Sequence, residues 1–148
     1  MEWFKVRELE SHKQVFDPIR KKYVSFTPEE AVRQQVLHTL IHTVQVPVGL
    51  TAVEYTIKVG SLTKRCDVVV FSSQHKPLMI VECKAAHITI NQKTLDQAAR
   101  YNSGLQVEYL LLSNAKSYYL FRNNAGKLTA CEKLLLFSEM NMFKNNSI

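Results

Sequence analysis

The sequence predicts a mixed α/β domain in which helices flank one central β-sheet. Three observations carry this reading: a capped helix starting at Thr27, three successive β-branched stretches between residues 52 and 84, and a second helix followed by further strands. Helices interleaved with strands must cover a sheet to bury their apolar faces.

The elements are read in chain order. Residues 1–26 mix aromatic and basic side chains without a clean period and are expected to be an extended, partly stranded lead-in. Thr27 then supplies an N-cap, Pro28 the first helical position, and Glu30, three residues after the cap, the acidic end of a capping box. Leu37, Leu40, Ile41 and Val44 form one stripe at helical spacing, and Pro47 and Gly49 stop the helix. The stretches AVEYTIKV, RCDVVVFS and LMIVECK read as strands separated by turn residues that include Gly60, Ser61, Ser72, Ser73 and Pro77. NQKTLDQAARYNSG reads as a helix ended by Gly104, and VEYLLLS and SYYLFR as later strands. The expected organisation is a single domain with its core at 27–137 and a loosely held, flexible tail at 138–148.

Composition limits the function classes. The chain has 148 residues, 46% hydrophobic and 22% charged, the balance of a folded domain rather than a disordered one. No apolar run reaches the roughly 18–20 residues of a membrane span, and the start MEWFKVRELE does not resemble a signal peptide. A cytoplasmic protein without a membrane partner is therefore expected. The formal charge of +6 and pI near 9.3 favour a polyanionic partner. Three cysteines without a C-x-x-C pair write neither a disulfide framework nor a zinc knuckle.

The chemistry concentrates where LMIVECK ends in Glu82, Cys83 and Lys84. Glu82 and Lys84 point to one face of a strand, the face of Ile80 and Leu78, so two charges stand where a core is expected. If this strand pairs with RCDVVVFS as a hairpin, residues whose numbers sum to 149 are opposite one another, which sets Asp67 facing Glu82. Two close carboxylates repel unless a cation lies between them, and hard oxygens suit Mg²⁺, with Mn²⁺ as a substitute. Asp67, Glu82 and Lys84 then supply what metal-assisted phosphodiester hydrolysis needs. The competing reading is a plain ion pair of Lys84 with Glu82 or Asp67 on a solvated strand end. On the second helix, Gln97, Arg100 and Tyr101 share a face and can orient water and grip a phosphate backbone.

With TPEEAVRQQ, KRCDVVVF, MIVECKA and LDQAARYN in this order, the chain resembles the PD-(D/E)XK nuclease superfamily, and more closely the N-terminal nuclease domain of type I restriction enzyme R subunits. The resemblance spans about residues 25–122. It implies a restriction-endonuclease-like core in αβββαβ order, with a central mixed sheet flanked by helices. It also implies Mg²⁺-dependent cleavage of DNA. Carried over, it makes Asp67 and Glu82 metal ligands, adds the backbone carbonyl of Cys83, and makes Lys84 the catalytic lysine. Gln97 and Tyr101 match the Q-x-x-x-Y helix motif, and Glu30 is the candidate for the acidic residue of the first helix, alongside its role in the cap. Arg100, Lys64, Arg65 and Arg33 are the expected nucleic-acid contacts.

Cys66 stands before Asp67 where the motif's name expects proline, and no G-x-x-x-x-G-K-[ST] is present. DNA translocation is thus not expected from this chain alone, and a homodimer or a motor chain of a restriction complex is an expected partner. The alternative function is a noncatalytic nucleic-acid-binding or assembly module. His38 and His42, four apart, lack the glutamate of a zinc motif and are expected on solvated surface. Cys66 and Cys83 are expected as buried thiols, and Arg20, Lys21 and Lys22 as a solvated charge run.

Overall fold

The computed structural model describes the backbone of residues 1–146 and the side chains of residues 1–142. Its central feature is a six-stranded mixed sheet of β4 (Thr51–Val59), β5 (Leu62–Phe71), β6 (Pro77–Cys83), β7 (Tyr109–Ser113), β8 (Tyr118–Asn124) and β9 (Lys127–Ala130), in that spatial order. Every neighbouring pair is antiparallel except β6 and β7, which run parallel. A parallel pair needs a crossover, and helix α2 (Gln92–Asn102) supplies it. The expected fold class is the observed one, with β9 as an added strand turned back on β8 through Ala125 and Gly126.

Helix α1 (Pro28–His42) starts as the capping signals require, with Thr27 Oγ1 accepting from the Glu30 amide at 3.1 Å. Val32, Val36, Leu37 and Leu40 are buried and pack with Val68, Val70, Met79, Val81 and Leu111 on one face of the sheet. On the other face Ala98 of α2 joins Ile57, Cys66, Val69, Ile80 and Leu112. Two cores separated by the sheet thus fix α1 and α2 on opposite sides of β5 and β6.

The lead-in is stranded, but its strands form a separate antiparallel sheet of β1 (Val6–Glu8), β2 (Lys13–Asp17) and β3 (Lys22–Ser25). Asp17, fully buried, closes the β2–β3 turn by accepting from the amides of Ile19 (2.7 Å) and Arg20 (3.0 Å) and from Arg20 Nε (2.6 Å). Arg20 Nη2 also lies 2.7 Å from Glu30, which ties the small sheet to α1. Burial opposes the charge on Arg20, but Glu30 and Asp17 outweigh it and hold its pKa above the ordinary value. Arg20, expected in a solvated run, is thereby an internal ion-pair partner.

A second correction concerns the C-terminal segment. Residues 138–148 were expected as a loose tail, yet helix α3 runs over Phe137–Asn146, while residues 147–148 lie outside the described residues. Phe137 and Met140, three apart, are buried in the α1-side core, and Asn141 Oδ1 accepts from the Ser73 amide at 3.0 Å. Apolar anchoring on one turn is what holds the helix against the sheet.

His42 is exposed, as expected, whereas His38 is half-buried. Their rings stack at 4.1 Å between centroids, and Trp3 meets both edge-on at 5.4 and 5.8 Å. Burial and, secondarily, the neighbouring His42 lower the pKa of His38 below its ordinary 6.5. The unfolded chain therefore binds this proton more tightly, and stability is lost as pH falls through 6.5 toward the lowered folded value. The unfolding midpoint should fall between about pH 7.5 and about pH 5.5, and the fall should shrink in His38→Gln. Thermal denaturation at the two pH values checks this.

Candidate active site

The hairpin register follows the expected arithmetic: Val68 faces Val81, Val69 faces Ile80 and Val70 faces Met79, each pair summing to 149. A bulge between Val70 and Phe71 ends that register at the turn. Extended outward, the register sets Asp67 opposite Glu82, but the ladder stops before them. Alternation also breaks there, because Cys66 and Val69 both pack on the α2 side while Val68 and Val70 pack on the α1 side. The cause lies in β4, where Glu54 has φ 54° and the pairing with β5 skips from Val53–Val68 to Tyr55–Cys66. Asp67, opposite Glu54, therefore leans toward α1 instead of sharing the α2 face with Glu82.

The two carboxylates line separate cavities. Asp67 borders a small one of about 140 Å³ with Glu29, Arg33, Cys83 and Lys84. Glu82 borders one of about 440 Å³ with Lys64, Arg65, Lys84, Gln97 and Tyr101. Lys84 lines both and is the bridge between them. Its amide donates to Ser113 O at 2.7 Å, extending the β6–β7 pairing by one residue and fixing where the side chain departs. Among the described residues its ammonium has no hydrogen-bond or ion-pair partner, so neither form of the plain Lys84 ion pair is present.

Each carboxylate takes its hydrogen bonds on one oxygen. Asp67 Oδ2 accepts from the Cys83 amide at 2.8 Å, and Asp67 Oδ1 lies 3.7 Å from Arg33 Nη2. Glu82 Oε1 accepts from Lys64 Nζ and from Asn102 Nδ2, the latter at 2.9 Å, whereas Oε2 makes no hydrogen bond among the described residues. Asn102 is buried and also donates to Ala98 O at 2.7 Å, which anchors its amide to α2. The donor set fits a hard divalent cation in kind: two carboxylates, each with an oxygen outside its internal hydrogen bonds, beside the Cys83 backbone. Among the described residues no group of three or more His, Cys, Asp or Glu side chains is gathered as a metal cage.

The remaining predicted residues divide. Gln97 and Tyr101 join the Glu82 cavity, while Arg100 lies on the outer face of α2 with Gln97, Lys93 and Asp96. Glu30 is buried in a network with Arg20, Arg33 and Gln34 and lines neither cavity, and its carboxylate does not return to the Thr27 amide. The first-helix carboxylate that borders the Asp67 cavity is instead Glu29. Arg33, expected to contact nucleic acid, is 11% exposed and committed to Glu30, Glu54 and Asp67. Lys64, expected in the same role, is 13% exposed and paired with Glu82, whereas Arg65 is 70% exposed beside Glu54. Glu54 is held below the usual carboxylate range, since Arg33 and Arg65 outweigh the opposing effect of burial. Burial pushes the Cys66 thiol up to about 11 and that of Cys83 higher still, so both stay neutral; Cys66 is buried as expected, whereas Cys83 is only partly buried. Sequence reasoning missed Asn102 and Glu54, whose charged partners sit on other elements: Glu82 of β6 for Asn102, and Arg33 of α1 and Arg65 of β5 for Glu54. A larger polar cavity of about 540 Å³ beside the β8–β9 turn contains none of the predicted residues.

A family model described as the type I restriction enzyme R protein N terminus matches residues 28–134, from the start of α1 past β9. The chain belongs to that family. No curated protein matches it. Among solved structures, a protein from Anabaena variabilis described as a "putative nuclease belonging to DUF820" is similar with a TM-score of 0.47 and 9% identity, over 86% of this chain and 89% of that one. The family match spans both cavities, Lys84 and the whole of α2. Among the described residues no helix is long and apolar enough to cross a membrane.

Proposed function

We propose that the chain is a Mg²⁺-dependent nuclease domain that hydrolyses DNA phosphodiester bonds. The observation that carries this reading is Lys84, an unpartnered ammonium lining both the Asp67 and the Glu82 cavities. Asp67 Oδ1 and Glu82 Oε2, with the Cys83 carbonyl, are the candidate ligands, and one ion between them would require the two carboxylates to turn toward each other from the separate cavities they line. When bound there, Mg²⁺ supplies a Lewis acid and lowers the pKa of a coordinated water. Lys84 donates to a phosphate oxygen and offsets the charge that grows on it in the transition state. Gln97 at the cleft offers an amide to orient water or phosphate, and the exposed Arg65, Arg100 and Tyr101 meet the nucleic-acid backbone. One such site cuts one strand, so double-strand cleavage would require a second copy or a partner chain of a restriction complex.

A noncatalytic binding module is favoured by a different observation, since Glu82 already has an internal cation in Lys64. One experiment separates the two readings. The purified chain, given single-stranded, duplex and branched DNA, should cut at least one of them with Mg²⁺ or Mn²⁺ and stop cutting when EDTA is added. DNA binding with no cleavage under any metal condition would establish the binding module instead.

A further inference from the structure

Lys64 occupies an unusual position for a residue at a candidate metal centre. It comes from β5, reaches Glu82 on β6, and rests with its ammonium 4.1 Å from the centroid of the Tyr101 ring on α2. Both members of the pair are largely out of solvent, at 13% and 12% side-chain exposure. The neighbouring donor to the same oxygen, Asn102, is neutral. Donors from two elements, β5 and α2, thus meet on Oε1 of Glu82 and leave Oε2 without a hydrogen bond among the described residues.

We propose that Lys64 is a built-in counter-ion of Glu82 that withdraws when a divalent cation binds there, keeping its contact with the face of Tyr101. This rests on the reading of Glu82 as a metal ligand. An ammonium on one carboxylate oxygen and a divalent ion on the other stand a few ångströms apart, and in a partly buried cleft their repulsion is poorly screened. Lys64 is the member free to move. Asn102 is anchored to Ala98 and carries no charge, whereas Lys64 sits on a flexible stem beside a ring that accepts cations on its face. Tyr101 is 68% exposed, so an ammonium sliding along the ring regains water and comes to the mouth of the cleft that Gln97 and Lys84 line. The pair keeps Glu82 compensated in the metal-free chain, where an uncompensated buried carboxylate would be costly. Metal binding therefore competes with an internal cation, and loading of the site uncovers a second lysine for a phosphate.

The test is Mn²⁺ titration of the whole chain by calorimetry, with unfolding midpoints measured with and without millimolar Mn²⁺. Lys64→Met keeps the apolar stem but removes the charge, and should bind Mn²⁺ about tenfold more tightly than wild type, given how strongly a like charge opposes a cation at this range. Lys64→Met should also gain more in unfolding midpoint from Mn²⁺ than wild type does. Lys64→Arg should keep the weaker wild-type affinity, and Lys64→Met/Glu82→Gln should lose the tight binding. Should Lys64→Met fold only with Mn²⁺ present while the double variant folds without it, the counter-ion role is supported. Equal or weaker Mn²⁺ binding by Lys64→Met, with wild-type binding that depends on Glu82, overturns the inference and leaves the metal reading standing. Absence of Mn²⁺ binding in every variant overturns both.

Discussion

Lys84→Ala is expected to lower metal-dependent cleavage by about 10²–10³-fold, the usual cost of removing one group that stabilises transition-state charge. The fold should not change, for a structural reason. Lys84 holds its place through a backbone hydrogen bond to Ser113, which alanine keeps, and its ammonium leaves no partner unpaired when removed. Stability should stay within about 0.5 kcal/mol of wild type, as for a substitution that breaks no cap, core or ion pair. Lys84→Arg should recover only part of the rate, because a planar fork does not replace a compact point charge. Single-turnover rates and thermal midpoints on the same preparations decide the matter. A Lys84→Ala variant that cuts at the wild-type rate would remove Lys84 from the mechanism.

The largest effect on stability is expected at Asp17, far from the chemistry. Its carboxylate is fully buried, satisfies two backbone amides in the β2–β3 turn and pairs with Arg20. Asp17→Ala strands both amides and leaves Arg20 with Glu30 alone, which should cost about 3–5 kcal/mol, the range for breaking a buried pair by removing one partner. Asp17→Asn keeps an oxygen that can accept from the two amides and should lose less. Denaturant unfolding of the two variants measures the difference. An Asp17→Ala midpoint equal to wild type would mean that the small N-terminal sheet contributes little to the folded state.

The parts legible in the sequence are those set by short-range rules. Thr27, Pro28 and the Leu37–Leu40 stripe specify α1 through capping and period, and the alternation and length of the β5–β6 hairpin specify a register correct from Val68 to Val70. The positions of Asp67 and Lys64 were not legible, because both depend on a break in alternation. That break arises at Glu54, a glutamate with positive φ, and no glycine or asparagine marks it in the sequence. Asn102 was missed for another reason. An asparagine in the last turn of a helix reads as a helix end, and only the packing of α2 on the sheet brings it to Glu82. The tail was misread because a ten-residue helix is marginal by itself, and what holds it is the contact of Phe137 and Met140 with core residues of α1, β5 and β6, which are distant in sequence.

The irregularity at Glu54 has a second consequence. Strand β4 is the outermost strand of the large sheet, and its free side offers unpaired amides and carbonyls to any other extended chain. A positive φ in mid-strand, with the exposed charges of Glu54 and Lys58 flanking the exposed Tyr55, interrupts that row. A foreign strand laid along β4 would find its ladder broken after a few residues and would meet charge on either side of the break. The residue that turns Asp67 toward α1 thus also guards the sheet against edge-to-edge growth.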